Sequence, residues 1–347
     1  MNWQSGSQRN KEEELLVEKL TCMTDLHLHL DGAISMESAR QLAKLQGIEI
    51  PESDAELKAL LTVSEDCKDL NEFLEKFAFP CSLLQTKEGL EGAVFNLCCE
   101  LQEQGVMYAE IRFAPQKSCE LGMTQRQAVE AALTGIQRSG LLCGLILCCM
   151  RAADNRAENM ETVELCGEYL GRGVCALDLA GAEALFPTRD FADIFAYARS
   201  KGIPFTIHAG EADGPESVKC ALDLGAVRIG HGVLASEDES LMDRLAAEKV
   251  PLELCPTSNL NTAIYSDLSQ YPLRTFLEKG IVVTVNTDDP SIEGTTIKRE
   301  YQLLIDQFEL SKGEVRQLMV NSVNASFAPE ALKSELMEKI EREFTVR

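Results

Sequence analysis

The chain runs to 347 residues, more than an average domain, and 45% of them are hydrophobic, ample material for a large core. Its 33 basic and 56 acidic residues leave a net charge of −23, the wrong sign for nucleic acid or an anionic membrane and easier to reconcile with a neutral small molecule. No stretch approaches the roughly 20 uninterrupted apolar residues that a membrane helix needs.

Residues 1–20 are polar and acidic, without the apolar run of a secretory signal, and read as a flexible start leading into a short helix. The first strand is expected at about 22–30, CMTDLHLHL. Residues 31–105 follow, too long for a simple crossover. Amphipathic runs such as DLNEFLEKFAFPCSLLQT make them read as a helical segment inserted as a cap. Apolar, β-branched runs then predict strands at about 106–113, 143–150, 174–180, 204–208, 227–231, 251–255 and 281–286. Helical periodicity separates most of them, as in FADIFAYARSKG with its closing glycine. Eight alternating units specify an α/β fold, a TIM-like (β/α)8 barrel with the helical segment after its first strand. No repeat, low-complexity tract or linker divides residues 1–347, so a single domain is expected.

The four histidines, His27, His29, His208 and His231, all sit in short motifs that also carry acids or glycines. His27 and His29 lie two apart on one strand and therefore share a face. Two imidazoles converging inside a barrel need a partner, and a metal supplies it. His208 ends the fifth strand, and Glu211, three residues on, is placed for general-acid work. His231 closes the sixth strand between Gly230 and Gly232, which leave room for something to approach it. Asp288 and Asp289 follow the eighth; one carboxylate can bind a metal while the other faces the substrate. Each of these falls at the C-terminal end of a predicted strand, where barrels place their active sites. Three imidazoles and one carboxylate suit zinc with an open position for water, whose pKa the ion lowers toward neutrality. The fourth strand ends in Asp178, Leu179, Ala180 and Gly181, without the lysine that bridges two ions in many barrel hydrolases. One zinc ion per chain is therefore expected. Thirteen cysteines, an odd number with no C-x-x-C, read as reduced thiols of a cytoplasmic protein.

The motifs TDLHLHLDG, DLAG, HAGEADGPESV, RIGHG, CPTSN and VNTDDPSIEGTT resemble, in order, those of the adenosine deaminase family. They span residues 24 to about 300, and the tail VNASFAPEALK also fits. The resemblance implies metal ligands at His27, His29, His208 and Asp288. It implies that Glu211 protonates purine N1 and that His231 orients and deprotonates the attacking water. Asp289 would bond N7, the Gly181 N–H would meet N3, Asp31 would hold the ribose 5′-hydroxyl, and His29 would also border the substrate. The implied reaction converts adenosine and 2′-deoxyadenosine to inosine forms with release of ammonia, by a monomer acting on small nucleosides. RIGHG is similar to adenosine-acting members, whereas adenine-acting members tend to carry an acid at the position of Gly230. The other class of zinc deaminases, with H-x-E and P-C-x-x-C, is excluded because that cysteine pair is missing. Ala182 after DLAG, and Asn261 in SNLNT, depart from the family pattern. Two further readings stand beside this one: a deaminase of adenine or a modified adenine nucleoside, and a catalytically silent nucleoside-binding relative.

Overall fold

The computed structural model describes residues 17, 19–64, 67 and 70–346. The expected polar start falls mostly outside them. Eight parallel strands appear where the apolar runs place them: β1 Met23–His29, β2 Val106–Phe113, β3 Cys143–Met150 and β4 Val174–Ala180 in one sheet, and β5 Thr206–Ala209, β6 Arg228–His231, β7 Leu252–Leu254 and β8 Val283–Val285 in another. Within each sheet the order follows the sequence. An isolated parallel bridge, Leu177 to Phe205, links the first sheet to the second, and another joins Leu28 to Asp288 just past β8. Helices alternate with the strands, so the architecture is the TIM-like α/β one. Among the described residues no helix is long and apolar enough to cross a membrane.

The first four strands span seven or eight residues and the last four only three or four. β6, β7 and β8 therefore end close to the residues that matter, and His231 itself is the last residue of β6. β1 carries a register shift between Asp25 and Leu28, where two of its residues oppose one of β2. A bulge of this kind re-aims a side chain, and His27 sits inside it. Asn286 and Thr287 hold the bulge: Asn286 Oδ1 accepts from the Leu26 N–H at 3.0 Å, and the Thr287 hydroxyl donates to Asp25 at 2.6 Å.

The connection from β1 to β2 divides into two parts. Helices Met36–Gln46 and Lys87–Glu103 pack on each other, and the second also packs on Gln125–Ser139 along the flank. Helices Leu70–Leu74 and Ala78–Ser82, with the turn between them, reach the strand ends, where Phe73, Phe77 and Cys81 face the cavity. At the opposite end, Arg228 lies 4.1 Å over the Phe327 ring and donates to the Ala325 carbonyl at 3.1 Å. That contact seats the C-terminal helices beneath the strands.

Between those ends the interior is ionic rather than oily. Glu110 and Arg112, two apart on β2, face inward with Asp178, Arg228 and Glu253, and all five are essentially inaccessible. Arg112 pairs with Asp178 and Glu253, each at 2.9 Å, and Arg228 pairs with Glu110 and Glu253, each at 2.6 Å. Buried charges are costly unless fully paired; here each acid meets at least one guanidinium. The network is the platform on which two of the histidines stand.

Candidate active site

His27 donates from Nδ1 to Glu253 at 2.7 Å, and His208 donates from Nδ1 to Asp178 at 2.9 Å. Both carboxylates stay anionic. Burial works against it, but Arg228 and Arg112 hold Glu253 well below its usual range, and His208 and Arg112 do the same for Asp178. With the imidazole protons fixed on Nδ1, each Nε2 presents a lone pair. Those two lone pairs face each other at 3.0 Å, which is repulsive unless a cation lies between them. His29 Nε2 joins them 3.1 Å from His208 Nε2, and Asp288 Oδ1 lies 3.1 Å from His27 and 3.4 Å from His29. Edges of that length belong to a tetrahedron whose centre is about 2 Å from each corner, the length of a zinc–nitrogen or zinc–oxygen bond. The donor set fits a divalent metal.

His27, His208, His231 and Asp288 also form a group whose ligand atoms all lie within 4.8 Å of one another. His231 Nε2 faces the other oxygen, Asp288 Oδ2, at 3.6 Å, and Glu211 at 3.7 Å. His29 shares Oδ1 with His27. Asp288, Asp289 and Glu293 form a further group of three carboxylates. Burial first, and then the Asp288 charge, pushes Asp289 and Glu293 well above the usual carboxylate range. In both cases the surroundings favour the protonated carboxyl.

Backbone constraints aim the side chains. Asp288 has φ +66 and is clamped to β1 by two bonds, its N–H to the His27 carbonyl and its carbonyl to the His29 N–H, both 2.8 Å. His231 has φ +56. Two non-glycine residues in the left-handed region mark strain stored where function lies. A Cβ at Gly32 would fall 1.7 Å from Asp289 Oδ1, so only glycine lets Asp31 and Asp289 sit side by side.

The strand ends open into a cavity of about 570 Å³. His29, Asp31, Gly181, His208, Glu211, His231, Asp288 and Asp289 all line it, so every expected site residue except buried His27 borders one space. Burial, followed by the charges of Asp288 and Glu183, drives the Glu211 carboxyl well above its usual range. Its surroundings favour the protonated acid. Burial also lowers His231 well below its usual value despite the nearby Asp288, so that imidazole is neutral. Asp31 is raised by burial; its Oδ2 accepts from the Cys81 thiol at 3.6 Å, while Oδ1 is buried without a partner. Asp289 Oδ1 is likewise buried and unpartnered. Two acids with unused oxygens line a largely apolar cleft, waiting for ligand atoms.

Sequence reading alone missed the supporting residues Asp178, Glu253, Arg112, Glu183 and Asn259. For one of them a signal existed: Arg112, two residues past Glu110 in an otherwise apolar strand, announces an inward-facing charge. Asn259 donates its amide N–H to His231 Nδ1 at 3.3 Å, its oxygen fixed by the Tyr271 hydroxyl at 3.2 Å.

Eight parallel strands, with a His and Asp cluster that could hold a metal and a buried acid of raised pKa at their C-terminal ends, are the marks of an enzyme of the metal-dependent barrel class. The family model for adenosine deaminase matches residues 22–343, and this chain belongs to that family. It is 50% identical over 330 residues to an adenosine deaminase of Haemophilus ducreyi, covering 92% of this chain and 96% of the relative. Over 324 residues it is 37% identical to an adenosine deaminase of Enterococcus faecalis, with 92% and 96% covered. Its fold is similar to a solved adenine deaminase from Arthrobacter aurescens, with a TM-score of 0.82, 30% identity, and 92% and 98% of the two chains covered.

Proposed function

We propose that this chain hydrolyses adenosine and 2′-deoxyadenosine to inosine and 2′-deoxyinosine, releasing the 6-amino group as ammonia. The observation that carries the reading is a protonated Glu211 facing a metal donor set across one nucleoside-sized cavity. The name and 50% identity of the Haemophilus ducreyi relative support the choice of nucleoside. His27, His29, His208 and Asp288 would hold one zinc ion, which when bound supplies Lewis-acid activation of the attacking water. The remaining chemistry belongs to the chain. C6 of the purine is a poor electrophile until N1 gains a proton, and Glu211 gives it that proton. N7 accepts hydrogen bonds only, and Asp289, held protonated by burial and by Asp288, can donate one. Gly181, at φ +106 on the cavity wall, brings its backbone to N3. His29, the donor-set imidazole with 12% side-chain exposure, borders the substrate.

His231 orients the water. Because Asn259 donates to Nδ1, the imidazole proton rests on Nε2, pointing into the site. In that tautomer His231 positions the water by donating to it, and taking a proton from the water requires first losing its own. The water oxygen bonds to C6 and the C6–N6 bond breaks; N1 keeps the proton that Glu211 gave, one proton of the water leaves with the amine as ammonia, and the other restores the Glu211 carboxyl.

We further read residues 1–347 as one domain with 31–105 as its inserted cap, and the protein as a cytoplasmic monomer without nucleic-acid or membrane partners. The charge of −23 and the cysteine pattern support that placement. Adenosine, 2′-deoxyadenosine, adenine and AMP, assayed side by side for ammonia release, test the substrate; adenine turning over as well as adenosine would transfer the chain to the alternative reading. The ribose side should matter through Asp31, whose free Oδ1 awaits the 5′-hydroxyl. A hydrogen bond to a charged group contributes about 1.5–3 kcal/mol, very roughly 10- to 150-fold in kcat/KM. Asp31→Ala should therefore weaken adenosine far more than 5′-deoxyadenosine. Equal losses on both substrates would remove Asp31 from the ribose site.

A further inference from the structure

Glu183 does not line the cavity, yet it is fully buried and gathers five donors. Oε1 accepts from the Gly210 N–H at 2.8 Å and the Ser217 hydroxyl at 2.5 Å. Oε2 accepts from the N–H groups of Glu211, Ala212 and Asp213 at 3.0, 2.6 and 3.2 Å. Four consecutive backbone donors close on one carboxylate, and every partner donates to it. The hydroxyl side is ordered too. Arg151 can only donate, so Thr188 Oγ1 receives its Nη2–H at 3.0 Å. Thr188 then donates to Ser217 at 2.7 Å, and Ser217 donates to Glu183. The same Arg151 nitrogen reaches the His208 carbonyl at 2.5 Å, tying the cluster to β5.

The segment thus gathered carries Glu211. Gly210 at φ +70 and Gly214 at φ +73 turn the chain on either side of it. Among the described residues no side-chain hydrogen bond holds the Glu211 carboxyl, and His231 Nε2 stands 3.7 Å away. Its position is set through its backbone. We propose that Glu183 is a positioning residue for Glu211: by collecting the N–H groups of residues 210–213, it fixes where that carboxyl meets the purine. This role rests on the reading of Glu211 as the general acid. A misplacement of about 1 Å costs on the order of 10²-fold in rate, which is the effect at stake.

A double-mutant cycle tests it in the metal-loaded enzyme. Glu183→Gln puts an amide group against backbone donors and should lower kcat on the order of 10²-fold, with KM for adenosine changed less than about threefold. Glu183→Asp, which keeps the charge on a shorter arm, should recover part of that loss. In a Glu211→Gln background, Glu183→Gln should lower kcat no further, because the group it positions is already gone. Hydrogen exchange should show the amides of 210–213 losing protection in Glu183→Gln, with the metal content unchanged. If Glu183→Gln does not accumulate as folded protein, Ser217→Ala removes one of the five donors and should show a smaller kcat loss that also vanishes beside Glu211→Gln. Losses that multiply in the double variant, or metal lost together with activity, would overturn the positioning role while leaving Glu211 as the acid. A Glu211→Gln variant with near-parental kcat would instead overturn the underlying reading.

Discussion

Glu211→Gln should lower kcat by roughly 10²- to 10⁴-fold, the range a positioned general acid contributes, while metal content and nucleoside binding stay near parental values. The amide fills the same space and can form a hydrogen bond, but it cannot transfer a proton to N1. The working form of Glu211 is the protonated one, held so by burial and by the charges of Asp288 and Glu183. In the parent, kcat/KM should therefore fall on the alkaline side as that carboxyl ionises, and this limb should be absent from the variant. Stability should move the other way. A carboxyl whose folded pKa is raised gives its full stability below its unfolded pKa of about 4.3 and loses it as pH rises toward the folded value. Glutamine carries no such ionisation, so at pH 8 the variant should melt at or above the parent temperature. A variant that keeps near-normal kcat, or that melts well below the parent, would show Glu211 to be structural rather than the acid.

The parts of this protein visible in its sequence are those whose chemistry is local. His27 and His29 share a strand face, and His208, His231 and Asp288 each end or follow an apolar run, so strand periodicity alone gathers them at one end of a barrel. What the sequence hid is the order imposed across strands. Glu253 on β7 and Asp178 on β4 choose the imidazole tautomers of His27 and His208, although neither lies near its partner in the chain. The bulge at His27 and the left-handed backbone of Asp288 depend on pairings between residues some 260 positions apart. Glu183 is the sharpest case: two residues beyond DLAG it looks like an ordinary acid, and only folding brings the 210–213 amides around it. The length of the β1–β2 connection was equally legible, but its division into flank helices and a short stretch over the cavity was not, because both parts are amphipathic.

Removing the metal should abolish turnover and lower the melting temperature, and the ion should come off more readily at low pH. One zinc per chain is expected from elemental analysis, because in the neighbouring Asp288, Asp289 and Glu293 group only Asp288 is lowered in pKa, while burial and the Asp288 charge raise Asp289 and Glu293 and disfavour the second anion that a second ion would need. A ligand present at 1,000 times its Kd stabilises the folded state by about 4 kcal/mol; at a few degrees per kcal/mol for a chain of this size, the apo protein should melt on the order of 10 °C lower. The pH dependence follows from His27. Burial and Arg112 oppose its charged form, but Asp288 and Glu253 outweigh them and raise its pKa above 6.5. Without metal, a proton on His27 can sit between the facing nitrogens of His27 and His208 and relieve their 3.0 Å repulsion. A raised folded pKa gives stability that is complete below the unfolded value of 6.5 and lost as pH rises through the folded one. The apo protein should therefore gain stability, relative to the holo form, as pH drops from 8 to 6. Proton and metal compete for the same lone pairs, so a chelator should strip the ion faster and at lower concentration at pH 6 than at pH 8. Added zinc should restore turnover and the higher melting temperature together. Two metals per chain, or a chelator titration that is identical at both pH values, would mean that the four converging atoms are not the site at which the ion binds.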